Sequence, residues 1–165
     1  MRKVWIVAWV LCLMLVGCKS EETLETVSDV LPDQPVLGKM REISVTLPDS
    51  AVSPVLSSEA EQVYLSEDYE IVVETRASGD LKATVEHMSG FDADQLTLVK
   101  TSQDGAPRYD FVWACAGEAG ERLGRGVILD DGNYHYCLSV LRDADGEKSQ
   151  VIWSEVFSSF RLDSY

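Results

Sequence analysis

The stretch that decides the fold runs Pro107-Arg-Tyr-Asp-Phe-Val-Trp-Ala-Cys-Ala116, then Leu123-Gly-Arg-Gly-Val-Ile-Leu129, then Tyr134-His-Tyr-Cys-Leu-Ser-Val-Leu141. In the first piece Tyr109, Phe111 and Trp113 alternate with Asp110, Val112 and Ala114. Such a period of two puts one set on each face of a β-strand. The second and third pieces are joined at Asp130-Asp-Gly-Asn133, where glycine tolerates the positive φ of a tight turn. Residues 107–141 therefore read as a three-stranded antiparallel meander.

Upstream of the meander, Ser78-Gly-Asp-Leu-Lys-Ala-Thr-Val-Glu-His-Met-Ser-Gly90 places Leu81, Val85 and Met88 on one helical face. Asp80 or Ser78 suits the N-cap, and Gly90 suits a left-handed C-terminal stop. Leu96–Lys100 reads as a short strand. Gln62–Ser66 and Tyr69–Thr75, separated by Glu67-Asp68, read as a hairpin, and Ile43–Leu47 as a strand ended by Pro48. Downstream, Gln150–Phe160 carries Ile152, Trp153, Val156, Phe157 and Phe160. That stripe aligns five large apolar groups in a helix but only three in a strand, so a helix is expected. The expected class is α+β: an antiparallel sheet of about six strands flanked by helices.

The N-terminus has a different character. Arg2 and Lys3 precede an unbroken apolar run, Val4–Val16, of 13 residues. That suits a secretory h-region, whereas a spanning helix needs about 20 residues. The run ends Leu15-Val-Gly-Cys18, which resembles the bacterial lipobox. The resemblance implies a signal peptide over 1–17, diacylglyceryl transfer to the Cys18 thiolate, and further acylation such as palmitate. Two or more acyl chains hold a protein stably at a bilayer, while one is marginal. Residues 18–40, rich in Glu, Ser, Thr, Asp and Pro, read as a flexible tether, and 41–165 as one globular domain. The expected location is the extracytoplasmic face of a cell membrane.

The chain's 165 residues carry a net charge of −14, which becomes −16 once Arg2 and Lys3 leave with the leader. With no basic patch, nucleic-acid binding is not expected. Cys12 and Cys18 belong to the leader region, leaving Cys115 and Cys137 in the domain. In the meander Cys137 falls opposite about Gly126 and Cys115 opposite about Arg122. That is two strands apart and offset, beyond the reach of a disulfide, so two unpaired thiols are expected. His87 and His135 lack ligand spacing, and Asp143-Ala-Asp-Gly-Glu147 is too short for a calcium loop, so neither metal nor cofactor is expected. Gly117-Glu-Ala-Gly120 and Gly124-Arg-Gly126 lack the ending of a phosphate loop and point to a turn and a bulge or close backbone approach. Trp113, Tyr134, Tyr136 and Trp153 form the candidate ligand groove.

Asp131-Gly-Asn-Tyr134 followed by Trp153-Ser-Glu-Val-Phe-Ser-Ser-Phe-Arg-Leu162 resembles the PsbP/DcrB/Mog1-like group over about residues 41–162. The resemblance implies an antiparallel sheet covered by helices, with some relatives being bacterial lipoproteins, and carries no shared active site. Tyr134-His-Tyr-Cys137 also resembles the late strands of immunoglobulin-like sandwiches. There the corner tyrosine stands two residues before the cysteine; here Tyr134 stands three before Cys137. The functional expectation is a non-enzymatic, monomeric binding or accessory domain, tethered to the membrane and facing an unknown envelope protein or ligand. The alternative is an immunoglobulin-like adhesion or ligand-binding module.

Overall fold

The computed structural model describes residues 38–117, 120–144 and 149–163, with only the backbone of 149–152. The expected signal peptide, Cys18 and nearly all of the expected tether lie outside these residues, as does most of the Asp143–Glu147 segment. Leu37–Tyr165 forms one compact unit.

Nine strands and two α-helices are described: β1 (Ile43–Ser44), β2 (Leu56–Ser57), β3 (Glu61–Leu65), β4 (Tyr69–Ala77), α1 (Leu81–Ser89), β5 (Val99–Gln103), β6 (Ala106–Ala116), β7 (Glu121–Asp130), β8 (Tyr134–Asp143), α2 (Ser149–Ser159) and β9 (Arg161–Leu162). Seven strands form one antiparallel sheet in the order β2-β3-β4-β8-β7-β6-β5, and β1 pairs with β9 in a separate two-stranded ribbon. This corrects the expected α+β class. Strand takes up 48% of the described structure and helix 16%, and the two helices are short, so the domain is β-rich. The excess strand comes from long pairings, nine residue pairs each for β4–β8, β6–β7 and β7–β8. The all-β alternative matches this content better, but among the described residues no second sheet of comparable size faces the first.

Each face of the large sheet closes over its own core. On one face α2 and the ribbon cover Ile71, Val127, Leu129, Tyr136, Leu138 and Val140, with Trp153, Val156, Phe157, Phe160 and Leu162 packed down on them. On the other, Val85 of α1 packs with Phe111, Trp113, Ile128 and Cys137. The period of two explains the division, because Val127 and Leu129 face α2 while Ile128 between them faces α1.

Local signals place α1 where the sequence puts it. The Asp80 side chain accepts from Lys82 N at 2.9 Å, and Gly90 closes the helix at φ 75°. The helical reading of Gln150–Phe160 matches α2. Its last carbonyls find donors in the sheet: Arg108 Nη2 to Phe157 O at 3.3 Å and Gln103 Nε2 to Phe160 O at 2.9 Å.

Three strand readings shift. Ile43–Leu47 pairs only at Ile43 and Ser44, with Val45 and Leu47 packing against the core. Leu96–Lys100 is strand only from Val99, where β5 begins after a 3₁₀ turn at Ala93–Gln95, because Leu96 and Leu98, partly buried, pack on the α1 face. The β7–β8 register sets Cys137 opposite Ile128 rather than Gly126, while Cys115 lies opposite Arg122. Neither cysteine is in a disulfide.

Candidate binding groove

Toward the end of the sheet away from the Asp130–Tyr134 turn, space remains between α2 and strands β6–β8, beyond the point where Arg108 of β6 bonds Phe157 O. The space left is a groove of about 640 Å³, inside the range of about 300–1,000 Å³ typical of ligand pockets. Val112 and Ala114 come from β6, Leu123 and Arg125 from β7, Val140 and Arg142 from β8, and Trp153, Ser154 and Phe157 from α2. Val112 is 65% exposed there. Among the described residues its lining is mostly apolar, and its charges are two arginines with no carboxylate. This stands out on a chain with 28 acidic residues against 14 basic ones.

Arg125 is held in place on two sides. Its guanidinium lies 4.2 Å from the centre of the Phe157 ring, and its Nη2 donates to Asp110 Oδ1 at 3.0 Å. Arg108 grips the same carboxylate with Nε at 2.8 Å and Nη2 at 3.1 Å. Burial pushes the Asp110 carboxyl up, but hydrogen bonds from Arg108 and Arg125 outweigh that and hold it below the usual carboxylate range. Two guanidiniums on one carboxylate leave one unit of positive charge over β6. Arg142 donates to Asp143 O at 3.2 Å. Trp153 packs edge-on against Tyr69, with centroids 5.3 Å apart, and its buried Nε1 has no hydrogen-bond partner.

Of the four residues expected to form a groove, Trp113 and Trp153 border this one. Trp113 does so from its strand, since its ring stacks on Phe111 in the α1-face core. Tyr134 and Tyr136 do not join them. Tyr136 is fully buried near the β7–β8 turn, where its hydroxyl donates to Asp131 Oδ2 at 2.8 Å and accepts from Arg41 N at 2.9 Å. Tyr134 leans on it, with ring centroids 6.1 Å apart. The sequence reading missed Val112, Leu123, Arg125, Val140, Arg142 and Phe157 as lining residues. A signal for Arg125 was present: it occupies an inward position between Leu123 and Val127, where alternation calls for an apolar residue.

The polar residues under α1 make a second cluster. His135 is buried, with Nδ1 2.8 Å from Thr84 Oγ1, and burial pulls its pKa down. His87 Nε2 lies 3.3 Å from the buried carboxylate of Glu74. Cys137 has no exposure, and burial, with Glu74 nearby, pushes its thiol far above the ordinary range. A thiol so protonated is the opposite of an activated nucleophile. At the β7–β8 turn the aspartates cap backbone: Asp130 Oδ1 accepts from Gly132 N at 2.8 Å, and Asp131 Oδ1 from Asn133 N at 2.9 Å. Among the described residues no three His, Cys, Asp or Glu side chains gather around a common point. Nor is any described helix long and apolar enough to cross a membrane.

No family model matches the chain, and no curated protein matches it. A crystal structure of a protein from Bacteroides thetaiotaomicron, at 1.50 Å resolution, is similar to it with a TM-score of 0.49 and 13% identity. The match covers 74% of this chain and 45% of the other, so the chain spans less than half the length of that protein.

Proposed function

We propose that the chain is an extracytoplasmic lipoprotein, anchored to the cell membrane through Cys18, whose domain binds a partner in the groove between α2 and β6–β7 without catalysing a reaction. The groove carries the reading, being apolar and lined by Arg125 and Arg142 as its charges. The thiol and imidazoles lie elsewhere: Cys137 and His135 are buried under the opposite face. Of the two functional expectations, the ligand-binding one is the better supported by this geometry. The anchor rests on the Arg2-Lys3, Val4–Val16 and Gly17-Cys18 pattern.

Two measurements test it. Mass spectrometry of the chain from its native membrane is expected to find Cys18 as the first residue, carrying acyl groups; an uncleaved N-terminus with a free Cys18 thiol overturns the anchor. A photo-crosslinking residue at Val112 is expected to give a discrete adduct in intact cells. The same group at Val52, which is 84% exposed elsewhere, is expected to give none. Equal or absent labelling at both sites overturns the groove.

A further inference from the structure

We infer that the groove's occupant is an extended peptide segment of a partner protein, which adds as a strand to the open half of β6. The inference rests on the binding role proposed for the groove and names the chemistry of what enters it.

β5 pairs with β6 only from Ala106 to Asp110. Beyond that point the chain leading into β5 leaves the sheet, since Leu96 and Leu98 pack under the α1 face. From Phe111 to Ala116, β6 has β7 on one side and no strand on the other among the described residues. The phase of the ladder fixes what this open side presents. Gly117 N donates to Gly120 O at 2.6 Å, which makes that pair hydrogen-bonded. Alternation then assigns Cys115, Trp113 and Phe111 to bonds with β7, and turns the N–H and C=O groups of Val112, Ala114 and Ala116 outward. The same phase points Asp110 and Ala106 at β5, as their pairing requires.

Proteins usually blunt such an edge with lysine, proline or an inward charge. β5 follows that practice with Lys100. The open half of β6, Phe-Val-Trp-Ala-Cys-Ala, has no charge and no proline. Its outward-bonding residues Val112 and Ala114 also send their side chains into the groove. An added strand therefore gains main-chain hydrogen bonds from three residues while every second side chain drops onto apolar surface, the pattern of strand-addition recognition.

Charge selects the occupant. The Arg125 guanidinium is drawn over β6 by Asp110, and with Arg108 it leaves a local positive excess beside Val112. A carboxylate on the incoming segment, next to Val112, meets that excess. A second copy of this chain instead sets one net charge of −14 against another. The occupant is thus a partner segment whose every second residue faces the groove, that series being apolar with one acidic member.

The test uses the full chain in nanodiscs and the blocked peptide acetyl-Val-Thr-Glu-Thr-Val-Thr-amide, whose Val and Glu side chains share one face, read by amide hydrogen exchange. In the free chain the amides of Val112, Ala114 and Ala116 are expected to exchange fast. The peptide is expected to slow them by at least about tenfold, while Phe111, Trp113 and Cys115, already bonded to β7, stay unchanged. Arg125→Ala is expected to weaken this peptide but not its Lys-for-Glu counterpart, and Val112→Glu to weaken it with the fold intact. Equal protection by a peptide N-methylated at alternate residues overturns the inference, as does protection that grows with protein concentration alone. A crosslink at Val112 with edge amides that stay unprotected leaves the groove standing and removes strand addition.

Discussion

The indole of Trp113 lies against Gly124 on the neighbouring strand, so that a Cβ built on Gly124 would overlap the ring at Cε2. Phe111 covers Gly126 in the same way two pairs along, and the two rings stack with centroids 5.6 Å apart. The Gly124-Arg-Gly126 spacing thus serves close approach, with no bulge in the β6–β7 register. Gly124→Ala is expected to destabilise the domain by about 1–3 kcal/mol through overpacking. Gly79→Ala, where nothing lies within 4 Å, is expected to stay within about 0.5 kcal/mol of the parent. Urea titration of both variants checks the contrast.

Phe160 and Val112 separate core from groove. Phe160 has no exposure, and Phe160→Ala is expected to cost about 3–5 kcal/mol. Val112→Ala, at a site 65% exposed, is expected to cost no more than about 0.5 kcal/mol while reducing groove binding. A Val112→Ala variant as unstable as Phe160→Ala in denaturant would place Val112 in the core.

His135 gives stability a pH dependence of known sign. Burial holds its folded pKa below the ordinary 6.5. Above 6.5 the ring is neutral in both folded and unfolded chains and adds no slope. As pH falls below 6.5 the unfolded chain takes up the proton first, so stability declines until pH reaches the depressed folded value. His135→Gln is expected to flatten that part of the stability profile, measured by denaturation across the window.

Asp110 has the opposite acid–base character. Its folded pKa is depressed, so the stability it adds is present above the unfolded value of about 3.9 and is lost as pH falls through the folded value. Asp110→Asn is expected to cost about 1–2 kcal/mol at neutral pH, discounted because the side chain is 22% exposed. Denaturation at pH 7 and at acid pH is expected to show the difference between variant and parent shrinking as pH falls.

Cys115 and Cys137 differ in access. Cys115 is half-buried and Cys137 is fully buried with a raised pKa. A thiol reagent applied to the native chain, followed by peptide mapping, is expected to label Cys115 and leave Cys137 intact until the domain unfolds. Labelling of both at equal rates would contradict the packing under α1.

Much of the secondary structure was legible because its causes are local. Asp80 and Gly90 bound α1 through contacts within a turn of the chain, and the alternation of Tyr109, Phe111 and Trp113 sorted β6 onto two faces. Asp131-Gly132 marked one turn, and the same pair at Asp104-Gly105, with φ of 51° and 81°, makes the β5–β6 hairpin that the reading passed over. The strand-rich class was not legible. Leu56–Ser57 and Arg161–Leu162 are two-residue strands whose pairing partners, Gln62–Val63 and Ile43–Ser44, are set by chain return rather than by pattern. Tyr134 and Tyr136 shared the aromatic character of the two tryptophans but stand near the other end of β8 from Val140 and Arg142, a displacement that composition does not record.

The sequence by itself determined the two helices, the three-stranded meander and which side chains share a face, since these follow from periodicity and from capping within four residues. The tertiary structure alone decided that β5 pairs with β6 no further than Asp110, that α2 meets β6 through Arg108 and Phe157, and that Arg125 reaches across to Asp110. Those outcomes depend on register and packing between residues far apart in the chain, where one pair of shift along a strand moves a side chain by about 3.3 Å. The groove borders the stretch of β6 that β5 leaves unpaired, a coincidence of two non-local arrangements.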